Sequence, residues 1–169
     1  MKSIAATPDG RTLYFCDRGQ VWSIGINDDE GAKPLQITTG ASVAVDPTGK
    51  YLYIICTDTA PRPLVRMPLA GGPIETLAVP AQYTISDDPL SPNAVDASGR
   101  VVFEVDSADT WFERIAMIDP ARKTFTVIPI GFGGDLWHPG WEGDGRIAAI
   151  GNGLNSNLWR YRPRKNDGK

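Results

Sequence analysis

Short apolar runs separated by polar turns recur along the whole chain at regular intervals. Four of these turns contain a glycine followed by a basic residue and then an apolar run: "TPDGRTLYF", "DPTGKYLYII", "DASGRVVFEV" and "EGDGRIAAI". The glycines are Gly10, Gly49, Gly99 and Gly145, separated by 39, 50 and 46 residues. Glycine accepts a positive φ without steric cost, and a preceding Asp side chain can bond the turn backbone. The pattern therefore predicts four tight hairpins, each leading into a β-strand.

Each hairpin belongs to a larger predicted unit of up to four antiparallel strands. A short strand of small residues precedes the turn, as "SIAAT", "SVAVD", "NAVD" or "HPGW", and a third strand follows as "QVWSIGI", "PLVRMPL", "FERIAMID" or "NLWRYRP". Three units add a fourth strand: "PLQITTG", "PIETLAV" and "TFTVIPI". Repeats of about 40–50 residues with four strands are typical of β-propeller blades, whose neighbours cover both faces. The predicted blades span residues 1–40, 41–86, 87–133 and 134–163, with a disordered basic tail at 164–169.

The turn motifs also resemble those of a known family. "HPGWEGDGR" is similar to the Pro-x-Trp-Ser-Pro-Asp-Gly-basic motif of TolB-type propellers, which belong to the WD-like group, although Glu142-Gly143 replaces its Ser-Pro. "TPDGRTLYFCDRGQVWSI", "GNGLNSNLWRYRP" and "VRMPLAGGPIETL" resemble other parts of the same repeat. The resemblance covers nearly the whole chain and implies an all-β propeller. It implies little about activity, because such blades occur in TolB, in proteases of the prolyl-oligopeptidase and tricorn types, and in kinase sensor domains.

The last predicted blade has only three strands, so closure of the ring stays open at this stage. The chain is either a small, imperfect ring of four blades or part of a larger propeller. An open propeller leaves apolar faces and strand edges in water, which favours self-association.

Composition and charge narrow the choice of partners. The net charge of -3 argues against nucleic acid and anionic membranes. No apolar stretch approaches the ~20 residues that cross a bilayer, and no secretory signal is recognisable. The compartment stays open: cytoplasmic, or periplasmic within a longer exported protein. Cys16 and Cys56 lack a CxxC spacing, so we expect buried, inert thiols and neither metal nor cofactor.

Candidate binding residues fall in the loops expected on one rim, where connections between blades meet connections between second and third strands. These candidates are Trp137, His138, Asp135, Tyr83, Asp87, Asp88, Asp106, Trp111, Asn152 and Asn155. His138 is predicted just before the last inner strand, where its ring can face the channel. No nucleophile motif accompanies it, so a turn histidine is the favoured interpretation. The acids lack the spacing of a calcium loop and are interpreted as solvated loop residues. Trp111, Trp137, Trp141 and Tyr83 are candidates for an aromatic recognition surface, whereas Trp22 and Trp159 are predicted in the core.

Glu104 is unusual because it lies in a predicted middle strand. Counted from the turn glycine, its equivalents are Phe15, Ile54 and Ile150. A buried carboxylate needs a partner, and Arg114 on the next strand is the expected one.

The leading functional hypothesis is a non-enzymatic module that binds a protein partner or small ligand through its inter-blade loops. Two alternatives remain at this stage. One is a metal-dependent, lactonase-like propeller hydrolase. The other is the propeller part of a larger protease or kinase.

Overall fold

The computed structural model describes residues 3–26, 33–56 and 61–153. The part of the chain it describes consists of strands and turns, and it contains no helix able to cross a membrane. The strands are β1 (Ser3–Ala6), β2 (Thr12–Asp17), β3 (Gln20–Gly25), β4 (Leu35–Thr39), β5 (Ser42–Val45), β6 (Tyr51–Ile55), β7 (Leu64–Pro68), β8 (Glu75–Leu77), β9 (Tyr83–Ile85), β10 (Val101–Ser107), β11 (Arg114–Asp119), β12 (Thr124–Val127), β13 (Gly134–Trp141) and β14 (Ile147–Gly153).

The strands form successive antiparallel sheets, each made from neighbouring strands of the sequence. The first sheet contains β1 to β4, the second β5 to β8 and the third β9 to β12, while β13 and β14 pair in a fourth. The all-β blade architecture predicted from the repeats is therefore confirmed. The predicted strand "NLWRYRP", with Trp159, and the predicted tail at 164–169 lie outside the described residues.

The glycine turns form as their sequences predict. Gly10, Gly49, Gly99 and Gly145 all have φ between 68° and 83°. In the second turn, the Asp46 carboxylate accepts hydrogen bonds from the backbone N–H of Thr48 at 2.6 Å and of Tyr51 at 2.7 Å. The equivalent carboxylate of the third turn is bonded in the same way. Because each aspartate satisfies its own turn backbone, these hairpins are specified locally.

The third and fourth turns are one residue shorter than the first two. The N–H of Asp46 donates to the carbonyl of Tyr51, five residues on, whereas that of Asp96 donates to Arg100, four residues on. Successive side chains of a strand point to opposite faces of the sheet. A residue counted the same number of positions after the turn glycine therefore points to one face in the first two sheets and to the other face in the last two. Glu104 is therefore equivalent to Cys16 and Ile55. The expected equivalence to Phe15 and Ile54 is wrong.

The inner strands of the third and fourth sheets are longer or more broken than predicted. In the third sheet, β9 pairs with the end of β10, and "NAVD" contributes only an isolated bridge between Val95 and Val101. Residues 86–93 lie between these two paired segments. In the fourth sheet, "HPGW" is the end of an eight-residue strand with a register shift between Trp137 and Gly140.

Two apolar clusters lie between the sheets. One joins the first and second sheets through residues such as Tyr14, Val21, Leu52 and Ile54. The other joins the second and third sheets and contains Tyr53, whose hydroxyl donates to the Gly99 carbonyl at 2.8 Å. The main hydrophobic burial is therefore between blades.

Cys16, Cys56 and Trp22 are all expected in the core, and of these three only Cys16 is buried in the structure. Cys16 is only 2% exposed, and burial raises the pKa of its thiol to about 11, so it stays protonated and unreactive. Cys56 and Trp22 are only half-buried, which corrects their assignment to the core. Trp22 lies on the face of the first sheet that points away from the second.

Gly40→Ala tests how tightly the first two sheets pack. A Cβ at position 40 would lie 2.5 Å from Cγ2 of Ile54 and 2.9 Å from Cγ2 of Val21, both fully buried. We expect the free energy of unfolding to fall by about 1–3 kcal/mol in urea denaturation, because the core is overpacked. Gly131→Ala is the control, since no described atom lies within 4 Å of its added Cβ. Equal stability of the two variants would contradict close packing here.

Candidate functional site

A buried carboxylate joins the third sheet to the fourth. Glu104 lies in β10, its side chain is 3% exposed, and its Oε1 accepts a hydrogen bond from the backbone N–H of His138 in β13. The His138 ring contributes a second contact, with Nδ1 4.0 Å from the same oxygen. Burial raises the pKa of Glu104 to about 6, and the negative charge of Asp88 acts in the same direction. The expected Glu104–Arg114 pair is wrong, because Arg114 instead contacts Asp109 at 3.1 Å.

His138 occupies an irregular position inside a strand. It lies within β13, not before the inner strand as expected, and its φ of 51° falls in the left-handed region that non-glycine residues rarely adopt. The register of β13 shifts between Trp137 and Gly140, so the backbone N–H at 138 has no partner across the sheet and turns to Glu104. The carboxylate thus satisfies the backbone that the bulge leaves unpaired.

The His138 side chain lines a cavity of about 340 Å³. The other lining residues come from β1 and from the connection that follows β9: Ser3, Ile4, Pro89, Leu90, Ser91 and Pro92. The connection is fixed at its base because the N–H of Leu90 donates to the Ser42 hydroxyl at 2.7 Å. The inner strands of the first and fourth sheets and the connection after β9 therefore line one cavity.

Acidic side chains converge beside this space. Burial raises the pKa of Asp106, and the negative charges of Asp87 and Asp135 raise it further. The described cation among them is Arg62, at the start of the second sheet's third strand, which pairs with Asp87 and lowers the pKa of Asp106. These residues are far apart in sequence, and the sheets bring them together.

Glu113 extends the acidic group. Its Oε1 accepts a hydrogen bond from the Ser86 hydroxyl at 2.8 Å, and its backbone N–H donates to Asp135 Oδ1 at 3.1 Å. Its Oε2 is buried without a hydrogen bond of normal geometry to any described residue. Burial raises the pKa of Glu113, as do the charges of Asp106 and Asp88, while the Trp137 side chain lowers it. This cluster, which we call the acidic rim, contains Asp87, Asp88, Glu104, Asp106, Glu113 and Asp135.

Comparison with known proteins identifies the fold. The chain superimposes on TolB from Acinetobacter baumannii with a TM-score of 0.66 at 14% identity, covering 92% of this chain and 38% of that one. A protein described as TolB from Agrobacterium tumefaciens gives a TM-score of 0.65 at 16% identity, covering 89% of this chain and 53% of that one. The fold is that of a TolB-type β-propeller.

Other comparisons place no activity on this propeller. An oligogalacturonate lyase solved in complex with manganese gives a TM-score of 0.64 at 18% identity, covering 89% of this chain and 45% of the lyase. No protein-family model and no curated protein matches the sequence. The chain spans between about two-fifths and just over half of the length of these three structures. At these identities the likeness concerns the fold alone.

The remaining sequence-predicted residues lie around the propeller's acidic rim or away from it. Tyr83 lines a second cavity of about 610 Å³ together with Asp106 and Asp109, and its ring packs at a tilt against Phe125 with centroids 5.1 Å apart. Trp111 is 98% exposed. Asn152 is half-buried opposite Asp135 in the β13–β14 pair. Asn155 lies outside the described residues.

Trp141 does not join an aromatic surface with the other candidates. Its indole lies over the Arg100 guanidinium, 4.4 Å from the ring centroid, and donates to the Arg100 carbonyl at 3.2 Å. This places it beside the glycine turn of the third sheet, at the end of β10 opposite the loop that carries Trp111. The proposed aromatic surface therefore excludes Trp141.

The acidic rim does not have the arrangement of a metal centre. Within residues 3–26, 33–56 and 61–153, no three His, Cys, Asp or Glu side chains are placed to hold one ion. Asp109 is separately engaged, by the Ser107 hydroxyl at 2.5 Å and by Arg114. What the rim offers chemically is negative charge, together with the raised pKa of Glu104, Asp106 and Glu113.

Sequence analysis missed Arg62, Ser86 and Glu113 as parts of this site. Arg62 follows the second sheet's loop and Glu113 begins the strand after β10, so neither has a motif around it. Arg62 and Glu113 share only their position in the fold, since each lies at the end of a connection between a second and a third strand. The candidates Asp106 and Trp111 lie along one of these connections, and Glu113 lies at its far end.

Glu104→Gln tests the buried carboxyl. In the folded state the pKa of Glu104 is raised above its usual 4.5 to about 6, so its contribution to stability is full below the unfolded pKa and is lost as pH rises through the folded value. Glutamine keeps an oxygen that accepts from His138 and does not titrate. Between acid and neutral pH, the difference in unfolding free energy should therefore move in favour of Glu104→Gln by on the order of 2 kcal/mol.

Urea denaturation at pH values on either side of this range measures the effect. The exposed Glu142→Gln is the control and should show no such change. A pH-independent difference between Glu104→Gln and the unmodified protein would contradict the raised pKa.

Proposed function

We propose that this propeller is a non-enzymatic binding module whose acidic rim recognises a cationic group on a protein partner or small ligand. The observation that carries the proposal is the convergence of six carboxyl groups from the third and fourth sheets beside open cavities, with Arg62 the one cation described among them. A binding role needs shape and charge, and the described residues provide both.

The charge of the rim favours an incoming cation. Burial raises the pKa of Asp106 and of Glu113, and the negative charges of neighbouring acids raise both further. A ligand ammonium or guanidinium group placed beside these carboxylates would relieve that repulsion. Ligand binding should then favour the ionised carboxyls and release protons.

Exposed aromatic side chains beside the rim support the same partner class. Trp111 stands almost fully in solvent, and Tyr83 lines the larger cavity next to Asp106. Aromatic faces attract Lys and Arg, and exposed Trp and Tyr are common anchors of protein interfaces. A basic segment of a protein partner would satisfy the acids and the aromatic faces together.

The alternative functions are supported by fewer observations. A metal-dependent hydrolase needs a ligand set that the described residues do not provide. A role as the propeller part of a longer protease or kinase stays a hypothesis, and in that case the acidic rim would face the other domain.

Binding of a hexalysine peptide tests the proposal. Isothermal titration at low ionic strength should detect binding to the unmodified protein, and the double variant Asp106→Asn with Asp135→Asn should bind about tenfold more weakly or worse, because the rim loses two charges. Added salt should weaken binding by screening. Lowering the pH below about 6 should do the same, because Glu104 takes up a proton and the negative charge of the rim falls.

A charge-matched control separates the rim from net charge. Glu142→Gln with Asp144→Asn removes two charges from the glycine turn of the fourth sheet, where both acids contact Arg146. This variant should bind the peptide like the unmodified protein. Equal weakening by both double variants, or no binding at low salt, would refute recognition by the acidic rim.

A further inference from the structure

A cavity outside the acidic rim lies between the outer parts of the second and third sheets. It has a volume of about 230 Å³, and its walls come from β8, from the end of β11 and from the turn that leads into β12. Leu77, Ile118 and Pro120 give it an apolar side, and the first two belong to the core between these sheets. Glu75 and Lys123 are its charged lining residues. The cavity shares no lining residue with the acidic rim.

The Glu75 carboxylate is held in place by its neighbours on the second sheet. Arg66 contacts Oε2 of Glu75 through Nε and Nη2, both at 2.7 Å, whereas Oε1 has no hydrogen bond to a described residue. Arg66 is itself fixed, because its guanidinium lies 4.7 Å from the centroid of the Tyr51 ring. One carboxylate oxygen beside the cavity is therefore oriented and available to a hydrogen-bond donor.

Lys123 brings a positive charge to the same cavity from the third sheet. Its φ of 55° lies in the left-handed region that favours glycine, and the corresponding turn of the second sheet contains Gly71 and Gly72. A lysine in this conformation costs backbone free energy that glycine avoids, and such residues are concentrated at functional sites. No carboxylate in the described part of the chain pairs with the Lys123 ammonium. Opposite charges therefore line one cavity without contacting each other.

We propose that this cavity binds a small zwitterion with an apolar side chain, of the class of the free aliphatic α-amino acids. The ligand ammonium donates to Oε1 of Glu75, the ligand carboxylate accepts from the Lys123 ammonium, and the ligand side chain covers Leu77 and Ile118. A molecule with only one charge leaves one of the two protein groups unmatched. The volume suits a ligand smaller than the drug-sized molecules that fill cavities of about 300–1,000 Å³. The proposal is independent of the acidic rim.

Heteronuclear NMR titration of the isotope-labelled full chain tests the proposal, with leucine as the probe. Millimolar leucine should shift the backbone amide signals of Leu77, Ile118 and Thr124 in a saturable way. Glycine should bind at least about tenfold more weakly, because it leaves the apolar wall uncovered. Isocaproate lacks the ammonium of leucine and isoamylamine lacks its carboxylate, so each should also bind at least about tenfold more weakly. Unchanged signals at these amides, or isocaproate binding as tightly as leucine, would overturn the proposal.

Lys123→Asn tests the positive end of the cavity without disturbing the turn, because asparagine is enriched among the non-glycine residues with positive φ. This variant should keep the far-UV circular dichroism of the unmodified protein and bind leucine about tenfold more weakly or worse, because the ligand carboxylate loses its partner. Lys50→Asn is the charge-matched control, since this exposed side chain belongs to the second glycine turn and does not line the cavity. The control should bind leucine like the unmodified protein, and equal weakening by both variants would contradict binding in this cavity.

Discussion

Burial of one blade face against the next is the constraint on which the rest of this structure depends. The sheets are small, and a single sheet of four short strands cannot remove enough apolar surface from water to be stable alone. Leu52 and Ile54 are fully buried because the first sheet covers them, and Val101 and Phe103 because the second does. The loops at the rim are held in place only as well as these contacts hold the sheets together.

The contact between the third and fourth sheets departs from this apolar pattern. At the position equivalent to Ile55, the third sheet carries Glu104, and its carboxylate bonds the backbone of the neighbouring inner strand. A buried acid costs free energy when ionised, and the bulge at His138 would cost free energy if its N–H were unpaired. Each feature therefore compensates for the other, and together they bring a titratable group to the bottom of the acidic rim.

Much of the fold was predictable because its signals are local. The aspartates and glycines of the turns specify hairpins within a few residues, as the bonds of Asp46 show, and the apolar runs that follow specify buried strands. The site was predictable only in part. The expectation that binding residues lie in the loops of one rim identified Asp87, Asp88, Asp106 and Asp135, which the sheets do bring together. It missed Glu113.

The misplaced partner of Glu104 shows where sequence reasoning fails. Arg114 lies on the strand next to Glu104, yet the carboxylate of Glu104 accepts a hydrogen bond from a backbone N–H of another sheet. That N–H is left unpaired by a register shift in β13, and no residue type in the sequence predicts the shift. Long-range packing between blades decides such contacts, and one sequence contains no direct record of it.

The one-residue difference in turn length has a consequence for repeat engineering. A consensus blade averaged over all four units with the glycines superimposed would merge Phe15 and Ile54 with Glu104, mixing positions that face opposite neighbours. Aligning the units on the residue that closes each turn (Thr12, Tyr51, Arg100 and Arg146) keeps the two sides separate. Chimeric arrays built from these blades should therefore be joined according to the alignment on the closing residues of the turns.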